Sequence, residues 1–310
     1  KSILGATRSV GAGHGPGNRA RQLKQGKVQA VKTCNFNTAP IIQVAMDEEL
    51  APFLAATEPA KIDQVGMEQL QLGHAAVYAR VLSPAVSATE GSAEAAGAES
   101  APSQSLDAEG YPVLLVRSKI GGTNAAAALT SVISLVSKQP RLVVSAGTAG
   151  GLKSGIAVGD VCVSTTLAYT DADATAFGYV RGQLPGMPAT YSSDDVARDM
   201  ALAASPALNA ATPTSANAKI YSGQMLAGNS FVTAANVGDT RTAFPEAIST
   251  DMESTPLAQV CEAYSLPFIS VRGVSDLCGP EAGEDFHIGV DEAAARSAAV
   301  VTQLVRSYLK

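Results

Sequence analysis

"AISTDMESTPLAQVCEAYSLPFISVRGVSD", Ala247–Asp276, places three acids around an apolar helix and an apolar strand. Asp251 and Glu253 flank Met252 just before a run in which Leu257, Val260, Cys261 and Tyr264 recur at helical spacing. Thr250 with Glu253 three residues later has the spacing of a capping box, in which hydroxyl and carboxylate satisfy free amides of the first turn. Acids at a helix start also suit the macrodipole. Capping accounts for these two acids, but not for Asp276. That residue ends the strand-like "PFISVRGVSD" and is followed by "LCGPEAGEDF", where Gly and Pro delay any helix. A carboxyl group at the mouth of a buried strand, beside Val274 and Leu277, is a candidate proton donor, because desolvation favours its neutral form. The alternative is a solvated loop aspartate.

Similar helix and strand signals recur along the chain. "IIQVAM" (41–46) reads as a strand and 47–56 as a helix opening on acids. "PVLLVRS" (112–118) is followed by a helix over 124–138, with Leu129, Val132, Ile133 and Val136 on one face. "RLVVSAG" reads as a strand that breaks into the Gly-rich "GTAGG" (147–151). "GDVCVSTTLAY" and "KIYSGQMLAG" read as later strands, and a final helix starts near Asp291. The strands are apolar runs rather than strict alternations, as two-sided burial requires. The pattern predicts an α/β fold: a single-domain, three-layer sandwich with a central, mostly parallel or mixed sheet flanked by helices. Residues 83–110, rich in Ala, Ser, Gly and Glu, read as a low-complexity inserted loop.

The composition of the 310 residues, 46% hydrophobic and 16% charged, fits a globular protein with a large core. No apolar run approaches the roughly 18 residues of a membrane span. Residues 1–46 hold seven Lys or Arg and no acid, so the net charge of -6 conceals a more acidic body, unlike the basic face of a nucleic-acid binder. Residues 1–40 read as a basic disordered or targeting extension, set apart from the domain at 41–310. Four scattered cysteines and three distant histidines give no metal-ligand spacing, and a reduced, cytoplasmic setting is expected. Organelle targeting by residues 1–40 stays open.

In open α/β sheets ligands collect beyond the carboxyl ends of strands. Four such ends here are polar or Gly-rich: Asp47–Glu49, Ser145–Gly151, Gly228–Val232, and Ser275 with Asp276. "SAGTAGGLKSG" is an anion-binding suspect through exposed amides, or else a tight turn. It is no Walker A loop, since Leu152 precedes Lys153 where that motif needs Gly.

"AMDEEL", "SAGTAGG", "GDVCVS", "YTDADATAFGYVRGQLPGMP", "GNSFVTA", "TDMESTPLAQVC" and "PFISVRGVSD" together resemble the methylthioadenosine/S-adenosylhomocysteine nucleosidases. That group belongs to the purine nucleoside phosphorylase-like superfamily. The similarity runs in order from Ile41 to the C-terminus, interrupted near 83–110. It implies hydrolysis of an N-glycosidic bond, with no metal or organic cofactor, by a homodimer that takes a small nucleoside and neither nucleic acid nor membrane. Position by position, it implies Glu49 as the carboxylate that activates water and Asp276 as the acid that protonates the purine. Glu253 and the Met252 backbone match the ribose-binding pair, and Phe231 and Val232 the adenine slot. Thr148 stands beside the ribose and Ile120 matches an apolar wall. Phe286 matches a residue near the thioether tail, Phe177 one contributed across a dimer interface. Arg272 and Ser275 match supporting positions.

The chain also departs from that pattern. "SKIGG" places Lys119 near the expected wall, where it is expected to face solvent, and Asp251 stands where Glu is usual. Asp251 reads as a helix-start acid. Two rival functions remain. A phosphorylase of the same fold would need basic side chains near the glycines, and only Lys119 and Lys153 are close in sequence. A silent nucleoside-binding protein would have lost Glu49 or Asp276, and both are present.

Overall fold

The computed structural model describes residues 32–62, 66–84, 110–280 and 282–310, with residues 32–34 and 283–288 described by backbone alone. Residues 1–31 and 85–109, which contain most of the basic extension and of the inserted loop, lie outside the described residues. The first half runs β1 (Lys32–Cys34), β2 (Ile41–Val44), α1 (Asp47–Ala55), β3 (Thr57–Ile62), β4 (Gln69–Leu72), β5 (Ala75–Leu82), β6 (Tyr111–Arg117), α2 (Gly122–Leu135) and β7 (Val143–Gly151). β8 (Val161–Tyr169) leads into a single 3-10 turn at Thr175–Phe177, then β9 (Tyr191–Ser192), α3 (Asp195–Leu202), α4 (Ser205–Asn209) and β10 (Ile220–Ala227). α5 (Val237–Ala243), β11 (Ala247–Asp251), α6 (Ser254–Ala263), β12 (Phe268–Asp276) and α7 (Ala282–Tyr308) complete the chain.

The strands form one mixed sheet in the order β1-β3-β5-β6-β2-β7-β11-β10-β8-β12. β12 also pairs with β7, so β7, β11, β10, β8 and β12 close into a ring. Both β7 and β12 are buried along their whole length, which explains why their sequences lack polar alternation. Helices cover both faces. α2 and α6 pack Leu129, Val132, Leu257 and Cys261 against one, while α1, α3 and α7 pack Phe53, Ala201 and Val301 against the other. No helix among the described residues is long and apolar enough to cross a membrane.

Several boundaries differ from the sequence reading. β7 does not break at its glycines but runs through Gly151, held by pairing with β12 and β11, and its glycines stand where neighbours leave no room for a Cβ. α7 begins at Ala282, ahead of the expected Asp291. β3 and β11 were not legible as strands: "TEPAKI" is polar with a proline, and "AISTD" is short. Part of the stretch set aside as an extension belongs to the fold. β1 pairs in parallel with β3, and Phe36, 1% exposed, packs in the core under α2. A single apolar ring among Gly, Asn and Lys gives no periodicity by which to find it.

Phe36→Ala is therefore expected to cost about 3–5 kcal/mol of stability, as emptied aromatic core sites do. Chemical denaturation measures this, and an unchanged midpoint would mean that the segment does not dock.

Candidate active site

Glu49 is the third residue of α1, directly beyond β2. Its Oε2 accepts from the amides of Ala45 (2.9 Å) and Met46 (3.1 Å), which returns the side chain to its own helix start. Its Oε1 accepts from the Thr148 amide (2.8 Å) and Thr148 Oγ1 (3.0 Å). The carboxylate thus rests on β7, and Gly147 makes room for it: a Cβ there would lie 2.3 Å from Oε1. The Gly-rich segment therefore is not an anion loop. The Thr148 amide is spent on Glu49, and the Gly147 amide donates to Ser297 Oγ at 3.2 Å.

Arg272, 1% exposed in the middle of β12, anchors the remaining acids. Its Nη1 donates to Glu253 Oε2 (3.3 Å) and to the Thr148 carbonyl (3.2 Å), and Nη2 donates to Ser145 Oγ (2.7 Å). Asp251 Oδ1 lies 3.6 Å from Nη2, and Glu49 Oε1 lies 4.0 Å from Nη1. Burial alone would lower this guanidinium, but Asp251, Glu253 and Glu49 more than offset it and hold it above its ordinary value.

Asp251, not Thr250, starts α6. Its Oδ1 accepts from the amides of Glu253 (2.8 Å) and Ser254 (2.7 Å), and its Oδ2 from Ser254 Oγ (2.6 Å). The expected Thr250–Glu253 capping box is absent, since Glu253 is turned the other way and accepts from the Gly121 amide at 2.8 Å. Freed from capping, Glu253 faces the site. Burial raises its carboxyl, Arg272 pulls back, and Asp251 and Glu49 push further, leaving it at about 7. Three buried carboxylates around one guanidinium carry an excess of negative charge, and Glu253 has the fewest donors to hold its charge.

Asp276 ends β12 at 1% exposure. Its Oδ1 accepts from the Cys278 amide (2.9 Å) and its Oδ2 from Ser275 Oγ (3.0 Å). Gly150 supports it as Gly147 supports Glu49, because a Cβ at Gly150 would meet Cys278 Sγ at 2.4 Å and Asp276 Oδ1 at 3.1 Å. Burial and the Asp276 charge push the Cys278 thiol up to about 12, so it stays neutral.

One cavity of about 140 Å³ joins these groups. Glu49, Thr148, Glu253, Ser275 and Asp276 line it, with Met252 and Val232. Ile120 and Phe231, 50% and 43% exposed, stand at its mouth. No Lys, Arg or His is among the described residues lining it. Arg272 lies beneath it, in contact with the acids. Phe177 is not brought to the cavity: it sits on the 3-10 turn at 82% exposure. The side chain of Phe286 lies outside the described residues. Lys119 is exposed at a φ of 78°, and Lys153 pairs with Glu246 at 3.6 Å, away from the cavity.

Residues 41–310 match the model of the phosphorylase superfamily. A 5'-methylthioadenosine/S-adenosylhomocysteine nucleosidase of Halalkalibacterium halodurans is 37% identical over 198 residues, covering 64% of this chain and 81% of the relative. The chain belongs to this nucleosidase family. The corresponding enzyme of Neisseria meningitidis, solved in complex with methylthio-immucillin-A, superposes with a TM-score of 0.71 at 28% identity, over 87% of this chain and 99% of that one. That of Colwellia psychrerythraea, solved with adenine, gives 0.67 at 28% identity, over 86% and 94%.

Several contributors to the site of this family member escaped the sequence reading. Asp251 carried an ordinary capping signal that hid its pairing with Arg272. Gly121, Ala45 and Met46 act through backbone amides, which side-chain identity does not disclose. Ser145, in the middle of a strand, had no local mark. Cys278 was noted only as one scattered cysteine among four.

An ionised Glu253 accepts two hydroxyl bonds where a protonated one keeps an oxygen as donor. Because its carboxyl is raised to about 7, protons occupy it below that pH. Accordingly kcat/KM is expected to fall as pH drops through about 7, approaching tenfold per unit. A pH–rate profile flat from about 6 to 8 would contradict this role for Glu253.

Proposed function

We infer that the chain hydrolyses the N-glycosidic bond of 5'-methylthioadenosine and S-adenosylhomocysteine, releasing adenine and the 5-thioribose product. One observation carries the assignment of roles: Glu49 of α1 and Asp276 of β12 line the same cavity, each packed over a glycine of β7. Gly147 lies under the first and Gly150 under the second. A cavity flanked by one carboxyl group on each side suits a sugar with a water beside it, the arrangement inverting glycosidases use.

In this reading adenine lies in the slot of Phe231 and Val232, against the Asp276 end. Asp276 delivers a proton to the purine imidazole nitrogen as the glycosidic bond lengthens, and the base leaves neutral. Glu49 takes a proton from water attacking the anomeric carbon from the opposite face. Glu253, with the Met252 backbone, accepts from the ribose hydroxyls, and its negative charge offsets the positive charge that develops on the sugar. Thr148 stands beside the ribose, Ile120 forms the outer wall, and Arg272 and Ser275 hold the acids in place. The lack of basic side chains among the described lining residues favours water over phosphate as nucleophile.

Adenine release from methylthioadenosine in phosphate-free buffer tests the reaction. Release that phosphate does not accelerate is expected, with losses of about 10²–10⁴-fold in Glu49→Gln and Asp276→Asn. Dependence on phosphate would make the enzyme a phosphorylase, and full activity in either variant would remove that residue from its role.

The same reading makes the protein a cytoplasmic homodimer. Cys162, Cys261 and Cys278 are free and buried, which fits a reducing compartment. Phe177, 82% exposed near Val180 at 55%, is an apolar side chain offered outward, suited to the thioether end of a partner's site, with Phe286 on the same tail. Phe177→Ser is expected to raise KM for methylthioadenosine with kcat nearly unchanged, and sedimentation of the native chain to give twice the monomer mass. A monomer, or an unaltered KM, would end that assignment.

A further inference from the structure

The sheet face beneath the site changes character one pleat at a time. β2, β7 and β12 lie side by side and parallel, so residues in register present their side chains to the same face. Ile41, Val143 and Phe268 form one such row, and all three belong to the apolar core under α2 and α6. Two residues further along, the row is Gln43, Ser145 and Ser270. Two residues beyond that come Gly147, which carries Glu49 above it, and Arg272. Apolar, polar and ionic rows thus succeed one another toward the cavity.

The middle row is fully buried: Gln43 is 1% exposed and both serines 0%. Gln43 Nε2 donates to the Ala125 carbonyl of α2 at 2.9 Å, which fixes the side chain on the α2 face. Ser145 Oγ accepts from Arg272 Nη2. Three polar atoms on this face have no protein partner among the described residues: Gln43 Oε1, Ser270 Oγ and Arg272 Nε. Buried polar atoms are rarely left so, and an internal water typically makes about three hydrogen bonds to groups of this kind. Their chemistry is complementary. The amide oxygen needs a donor, Nε–H needs an acceptor, and the hydroxyl can be either.

We propose that Gln43 and Ser270 are positioning residues that bind one internal water against the Nε edge of Arg272, and through it fix the guanidinium among its carboxylates. The functional half of this proposal rests on the hydrolytic reading above. The charged groups facing Glu253 are Arg272 on β12, Asp251 on β11 and Glu49 on α1. If Arg272 loosens, less of its charge offsets the other two, and Glu253 keeps its proton to higher pH. The acid limb of kcat/KM then moves upward. A merely structural polar row would change thermal stability and leave that limb in place.

The test joins a high-resolution crystal structure of the native chain with pH–rate profiles of Gln43→Met and Ser270→Ala. Density for a water within hydrogen-bond distance of all three atoms is expected. Both variants should shift the acid limb up by about half a unit, a loss of about threefold at pH values below it. Ser270→Thr, which keeps the hydroxyl, should retain the native limb. Absence of that water, or an unmoved limb in whichever variant folds, would overturn the proposal. A native chain that releases no adenine without phosphate would instead sink the hydrolytic reading, and the crystallographic water would still decide whether the internal site exists.

Discussion

A guanidinium 1% exposed among three carboxylates is the interaction on which the site depends. Removed from water, Arg272 is tolerable only because its Nη groups meet Glu253, Asp251, the Thr148 carbonyl and Ser145. The acids need it in turn, since buried charge is tolerated only where it is paired. The mutual requirement ties together three stretches distant in sequence: α1 through Glu49, β7 through Ser145 and Thr148, and the junction of β11 and α6 through Asp251 and Glu253. Closure of β7, β11, β10, β8 and β12 into a ring makes this possible, because it brings β11 and β12 against the same strand.

Beta strand 7 supplies the second constraint. Its glycines are gaps in a wall, and acids from neighbouring elements fill those gaps. Gly147 has a φ of 133° and Glu49 packed where a side chain would stand. Gly150 is open to Asp276 and Cys278 in the same way. Each carboxylate is thereby pressed onto a fully buried strand rather than carried on a loop. A mobile loop would set the same two groups with far less accuracy, and the acid–base reading proposed for them depends on their placement.

What was legible in the sequence follows from the same physics. Apolar runs such as "PFISVRGVSD" and "RLVVSAG" announce strands buried on both faces, and the α/β sandwich with them, because periodicity is a local property. The two carboxylates proposed as acid and base were singled out through a resemblance that spans most of the chain, and both line one cavity. Capping chemistry misled in an instructive way. Thr250 and Glu253 have ideal box spacing, yet Asp251 takes the amides of Glu253 and Ser254, since Arg272 and Gly121 offer Glu253 tertiary partners that no local rule can see. The glycines of "GTAGG" suggested a turn for a similar reason. The sequence shows the missing side chains but not the carboxylates that need their space.

Burial also divides the labour of recognition. Glu49, Glu253 and Asp276 are all 5% exposed or less, held by two to four donors each, and can read only the parts of a ligand that enter fully. Ile120 at the mouth is 50% exposed. A rigid interior suits the base and sugar, where bonds must be aligned to the reacting atoms. An open apolar rim suits a thioether tail, whose length does not alter the chemistry at the anomeric carbon. Methylthioadenosine and S-adenosylhomocysteine differ only in that tail. A site that fixes adenine and ribose in the interior and leaves the tail to exposed side chains accepts both without two sets of catalytic groups.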